Sequence, residues 1–339
     1  MDLLKSPIRK LYRSYLVPSL SAAIVTSVYG FVDMIAIGQG VGPDGAAALS
    51  IATPIFGVIS FFGILCGVGG SVYFGKARGE GEVEKSNAYF SASLFLTVAL
   101  TILVWAGFNI FSTPIYKFFG ATENLMPFVR DYTNCIVWTM PFFILSSYLS
   151  CLVRSDGAPN KVMAAVVSGG VFNVFGDWFF VFPMGWGMMG AALATVLGTI
   201  IQFIILCSHF FQKKNTLKIV KPFKPLRASR NVLFAGFSAS VIDIAFIVLT
   251  VILNKQVLRY GGEAALAVFG VVITCSSLFQ HLFSGVGQAI QPIVSINFGA
   301  GLRDRIHEID KLSVLTALLM GVAFALVGIL FPVQITKLF

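Results

Sequence analysis

Nine apolar runs, all of them longer than twenty residues, constrain this chain more than any other feature. They cover residues 14–38, 46–74, 87–111, 126–153, 161–182, 188–211, 230–255, 264–296 and 312–336. A helix needs about 20 apolar residues to cross the roughly 30 Å hydrocarbon core of a bilayer. In that core every backbone amide and carbonyl must be satisfied within the protein. The runs therefore predict an all-α polytopic membrane protein. Composition agrees: 57% of the 339 residues are hydrophobic and only 12% are charged, against about 25% charged in soluble domains.

The net charge is +9, and its distribution decides what it means. Nineteen of the 24 Lys and Arg residues fall in the N-terminal segment and in alternate loops, the 2–3, 4–5, 6–7 and 8–9 connections. The positive-inside rule then predicts a multi-pass protein of the plasma (inner) membrane with a cytoplasmic N-terminus. Nine spans put the C-terminus outside. No basic stripe with interleaved aromatics occurs, which argues against nucleic acid. Cys66, Cys135, Cys151, Cys207 and Cys275 all lie in apolar runs without metal-ligand spacing, and are expected as small fillers rather than disulfides or ligands. No cleavage pattern follows the basic N-terminus, so the first span is expected to persist.

The chain also repeats itself. Shifted by 220 residues, Gly42 meets Gly262, Gly67 meets Gly287, Gly79 and Gly81 meet Gly299 and Gly301, and PIYKFF (114–119) meets QITKLF (334–339). Equivalent points are six spans apart, so the halves share one orientation, as in transporters with an axis along the membrane normal. The expected division is an N-lobe at 1–211, a basic linker at 212–229 and a partial C-lobe at 230–339. The counterpart of residues 120 to about 215 is missing, and a loss of about three spans is expected.

Few polar residues interrupt the runs. Asp33 lies in the first span, fifteen residues after Pro18. A carboxyl there must be protonated, paired or cation-bound. A proline frees one backbone carbonyl and bends its helix, which suggests a protonation-linked bend. Asn173 and Asp177 are four residues apart on the fifth span, hence on one face. Their oxygens suit a hard cation such as Na⁺, or a protonated Asp177 could hydrogen-bond the amide. Thr195 follows on the sixth span. No metal site is expected beyond Na⁺ at Asp33, Asn173 and Asp177. No P-loop, Gly-x-Ser-x-Gly or His-Glu-x-x-His motif occurs, which argues against an ATP-driven pump or an enzyme.

RSDGAPNKVM (154–163), FNVFGDWFFVF (172–182), GMMGAALATV (187–196) and QPIVSINFGAG (291–301) follow one another in the right topology. Together they resemble the multidrug and toxic compound extrusion (MATE) family. The resemblance implies two six-helix lobes around a central cavity, here with the second lobe incomplete. It implies a secondary antiporter that exports organic cations or drugs against H⁺ or Na⁺, with no other cofactor. It also implies cation-coupling roles for Asp33, Asn173, Asp177 and Thr195, and for Tyr132 on the fourth span.

In the second half, Asp243 is the only acid of the seventh span. The family's acid in this span falls about one turn later, at Phe246 here, and Ser238 stands where proline is frequent. Asp243, Gln288 and Gln291 are candidates for substrate contact in the C-lobe cavity, with Asn297 near them; hydrogen bonds between helices are the alternative. Pro54 and Pro141 are expected to kink their helices. Arg154 and Asp156 are expected to fasten a loop, and His209 and His307 to sit solvated at the basic edge. Membrane lipid and small organic cations are the expected partners, with a monomer when complete. Two further readings stand beside export: a lipid-linked oligosaccharide flippase, disfavoured by spans rich in acids and poor in bases, and a truncated, transport-inactive fragment.

Overall fold

The computed structural model describes residues 2–119, 121, 123–221 and 224–330. Among these the chain forms nine α-helices: α1 (Ile8–Gly40), α2 (Pro43–Gly79), α3 (Val83–Ile110), α4 (Ser112–Phe118), α5 (Met126–Ser155), α6 (Pro159–Val181), α7 (Gly187–Cys207), α8 (Pro225–Gly299) and α9 (Arg303–Leu330). Seven of the described helices, all but α4 and α8, are long and apolar enough to cross a membrane. The first six expected spans overlap α1, α2, α3, α5, α6 and α7, and the ninth overlaps α9. Short α4, within which most of PIYKFF lies, was not expected as a helix.

The nine-span count meets a single helix, α8, where the sequence predicts two spans broken near Gly261 and Gly262. Alanine and leucine in the following GEAALA stretch favour propagation of the helix. Gly42, by contrast, has φ +95° and separates α1 from α2, so the Gly42–Gly262 correspondence does not hold. Both ends of α8 nevertheless lie on α2. A Cβ built on Gly69 would stand 2.0 Å from the Val232 carbonyl oxygen, and one on Gly79 would stand 1.9 Å from that of Ile296. Gly69 and Gly79 are about 15 Å apart along α2, whereas Val232 and Ile296 would be about 96 Å apart on a straight helix. Helix α8 therefore doubles back between them.

The 220-residue shift is clearest where α2 and α8 end. Gly81 and Gly301 both have positive φ, +80° and +72°, a conformation that costs glycine nothing. Glu82 N donates to Ala77 O as Leu302 N donates to Asn297 O, and Gly81 N to Arg78 O as Gly301 N to Phe298 O. The helices touch reciprocally as well. A Cβ on Gly79 would meet the Ile296 oxygen, and one on Gly299 would meet the Lys76 oxygen at 2.0 Å. Lys76 and Ile296 are themselves equivalent under the shift. Contacts of the form i with j and j with i mark a two-fold relation.

The helix directions put the basic loops at one end. Trp105, Trp178 and Trp186 lie at the other end, as interfacial aromatics do. Ile37, Ala52, Ile55, Tyr132, Ile136, Met140 and Ala191 fill the core at that Trp end, across α1, α2, α5 and α7. A second core, with Phe74, Phe90, Tyr148, Leu152 and Leu206, lies nearer the basic end. A third joins the start of α1 (Leu11, Tyr12, Tyr15) to Ala289 and Ile293 of α8 and Ile309 of α9. Here Arg305 donates to Leu3 O at 3.2 Å, Ser6 O at 2.9 Å and Asn297 Oδ1 at 2.8 Å. Cys66, Cys135, Cys151 and Cys207 are free thiols; the side chain of Cys275 lies outside the described residues.

The loop fastener differs from expectation in its partners. Asp156 binds His209 Nε2 at 2.7 Å, accepts from Thr216 N at 3.0 Å and from Thr216 Oγ1, and lies 4.0 Å from Arg78. His209 is fully buried rather than solvated. The linker continues along α3, with Lys218 N donating to Asn87 Oδ1 and Val220 N to Ser91 Oγ. Leaving buried polar groups without their partner costs about 1–3 kcal/mol each. Asp156→Ala is therefore expected to lower the melting temperature of the purified protein by several degrees. An unchanged melt would show that the linker docks without this carboxylate.

Candidate functional site

Four helices meet around a buried polar cluster near the Trp end. Asp33 lies seven residues before the end of α1, and Asn173 and Asp177 lie eight and four before the end of α6. Tyr132 is six residues into α5 and Thr195 eight into α7. At 1.5 Å per residue these depths are about 6–12 Å from the helix ends. The cluster is thus nearer one face than the middle of the helices.

Tyr132 Oη donates to Asp33 Oδ2 at 3.0 Å, and Asn173 Nδ2 donates to Thr195 Oγ1 at 3.1 Å. Asp33 is close enough for its charge to act on Asp177. Both act on Tyr132, whose hydroxyl also reaches the Thr195 side chain. The structure therefore brings together all five residues read from the sequence for this site. Asp33, Tyr132, Asn173 and Asp177 are buried, and Asp177 is 0% exposed.

Four oxygens in the cluster find no hydrogen-bond donor among the described residues: Asp33 Oδ1, Asn173 Oδ1 and both carboxyl oxygens of Asp177. A buried acceptor without a donor costs about 1–3 kcal/mol, and a charged one more. Among the described residues no salt bridge reaches either acid, and no group of three or more His, Cys, Asp or Glu forms a metal site. Two carboxyls and an amide oxygen can hold a proton shared between acids, or a hard monovalent cation. Phe56 of α2 packs edge-on against Tyr132, with ring centroids 6.3 Å apart. Phe56 was not singled out from the sequence. Nor was Tyr29, one turn before Asp33 and within reach of its charge. An i, i+4 search from Asp33 would have found Tyr29; Phe56 carried no signal of its own.

The remaining candidates lie elsewhere. Pro18 is buried in α1, but fifteen residues place it about 22 Å from Asp33. A bend at Pro18 is therefore not beside the carboxyl, and coupling must run along α1. Gln291 lines a cavity of about 520 Å³ with Tyr73, Lys76, Ser295, Phe298 and Asp310, at the basic end. Its Nε2 is buried without a partner. Gln288 is exposed. Asn297 does not line that cavity; it donates to Ile293 O and Leu3 O and accepts from Arg305. The side chain of Asp243 lies outside the described residues.

The MatE family model matches residues 18–179 and 239–339. "Probable multidrug resistance protein YoeA" of Bacillus subtilis is 27% identical over 335 residues, spanning 96% of this chain and 72% of that protein. "Multidrug export protein MepA" of Staphylococcus saprophyticus is 26% identical over 317 residues, spanning 92% of this chain and 69% of that protein. A solved outward-facing multidrug resistance MATE transporter of the MOP superfamily superimposes with a TM-score of 0.92 at 21% identity, over 99% of this chain and 75% of that one. The match over most of the sequence and the shared fold lead to one conclusion: the chain belongs to the MatE family.

Proposed function

We propose that this chain is the ion-coupling portion of a secondary antiporter that exports organic cations or drugs in exchange for H⁺ or Na⁺. The observation that carries the reading is Asp177, fully buried with neither carboxyl oxygen hydrogen-bonded. A fold tolerates that cost where the group binds or relays a cation. The names of the relatives support a drug cargo, and the acidic cluster supports a cationic one. The basic end is cytoplasmic in this reading, and the close approach of Gly79 to the Ile296 backbone and of Gly299 to the Lys76 backbone shuts it. Coupling requires that ion and drug favour different states. Asp33, Asp177 and the Asn173 amide oxygen bind the ion, Tyr132 holds the Asp33 carboxyl, and the Asn173 amide nitrogen with Thr195 ties α6 to α7.

The test is efflux of a fluorescent organic cation from pump-deficient cells expressing these 339 residues. Asp33→Asn is expected to reduce ion-driven efflux at least tenfold at equal membrane insertion, as loss of a charge-assisted contact of about 1.5–3 kcal/mol implies. Full ion-driven efflux by Asp33→Asn would overturn the assignment. An imposed pH gradient and an imposed Na⁺ gradient, applied separately, identify the ion.

A further inference from the structure

The polar cluster is assembled by glycines that no motif explains. On α6, Gly169 faces α7: a Cβ there would stand 2.6 Å from Gly198 O, and one on Gly198 would stand 2.6 Å from Gly169 O. This backbone contact lies one turn before Asn173 and one turn after Thr195, whose side chains bond at 3.1 Å. Gly176, next to Asp177, repeats the approach on the far side, where its Cβ would lie 2.8 Å from the Cβ of Ala194. The neighbouring Gly170 faces α1 instead. Its Cβ would meet Val25 Cγ1 at 2.5 Å and Tyr29 Cδ1 at 3.3 Å, one turn before Asp33. Small residues let membrane helices approach backbone to backbone. Here each approach flanks a residue of the cluster.

We infer that Gly169, Gly170 and Gly198 are positioning residues for the ion site, setting the spacing of α6 from α7 and α1 and with it which ion the four free oxygens accept. The inference rests on the reading of the cluster as that site. A side chain at Gly169 or Gly198 meets backbone, and one at Gly170 meets the β-branched Val25, which is stiff in a helix. Each pushes α6 outward by on the order of 1 Å, and misplacements of that size cost about a hundredfold at organised sites. The site then loosens around a small ion before the fold is lost. Gly30 provides the contrast. It lies three residues before Asp33 with nothing within 4 Å of its Cβ position, so a methyl group there leaves the spacing alone.

The experiment is ion-dependent thermal stabilisation of the purified chain, titrated with Na⁺ at fixed pH and with protons at zero Na⁺. For whichever ion stabilises the wild type, Gly170→Ala is expected to raise the half-saturating concentration at least tenfold, and Gly198→Ala likewise. Gly30→Ala should match the wild type. Val25→Ala combined with Gly170→Ala removes the methyl group that the new Cβ meets, and should restore the wild-type midpoint; a merely destabilising substitution would not be rescued in midpoint. A wild-type midpoint in Gly170→Ala, or no rescue by Val25→Ala, overturns the inference. A wild type without ion stabilisation, or an Asp177→Asn variant that keeps it, overturns the underlying reading instead.

Discussion

Gly79→Leu should part α2 from α8 at the basic end and leave that end open. A bare Cβ on Gly79 already falls 1.9 Å from Ile296 O, and the equivalent on Gly299 falls 2.0 Å from Lys76 O. One turn away a Cβ on Gly75 would meet Ser295 Oγ at 2.2 Å. The atoms opposite Gly79 and Gly299 are backbone, so no rotamer change makes room. Overpacking costs about 1–3 kcal/mol even where side chains can shift, and a rigid backbone contact lies at or above that range. If the proposed antiporter forms this contact in one state and breaks it in the other, the whole cost falls on the closed state. About 3 kcal/mol corresponds to more than a hundredfold change in population, at 1.4 kcal/mol per factor of ten. Ser295, 7% exposed beside this contact, can report the change as Ser295→Cys. Labelling by a membrane-impermeant thiol reagent added to the basic side should accelerate ten- to a hundredfold in Gly79→Leu. It should stay slow when Gly107, which has nothing near its Cβ position, is replaced instead. Equal rates in a folded Gly79→Leu protein would show that α2 and α8 do not form the gate.

Much of this fold was legible in the sequence because the bilayer removes alternatives. Once open strands and exposed loops are excluded, apolar length and basic loops place the helices. Gly81 and Gly301 were legible through the repeat, since glycine is the residue that takes positive φ cheaply. The α8 stretch was not. Local propensity at 261–268 supports helix, while the return of the chain is set by contacts with α2 more than 150 residues away. His209 was misread for a related reason: its partner Asp156 is 53 residues distant, and nothing local predicts burial. In the site, Asn173 and Asp177 were legible from i, i+4 spacing alone. The meeting of Asp33 with Tyr132, 99 residues apart, was accessible only through family resemblance. The glycines behind them were invisible because a glycine's meaning depends on what faces it.

Asp177 offers the opposite experiment, in which a substitution should strengthen the fold and end its function. Its carboxyl is buried with no donor to either oxygen, and Asp33 adds a like charge when both are ionised. Replacing a buried polar group that has no donor with an apolar group of similar shape removes a penalty of about 1–3 kcal/mol. Leucine is a near match in shape, and Asp177 already lies among apolar neighbours on α6. Asp177→Leu should therefore melt several degrees higher than the wild type in the same detergent. It should also lose its response to Na⁺ and pH, and the gradient-driven efflux that depends on it. Asp177→Asn should lose the same response with a smaller gain in stability, because its amide brings a donor that Asp33 Oδ1 lacks but keeps a polar group in place. A lower melting temperature for both variants would mean that Asp177 has stabilising partners in the folded protein, and the argument from its free oxygens would fail. A higher melting temperature with coupling lost would identify the strain at Asp177 as the cost that the ion relieves on binding.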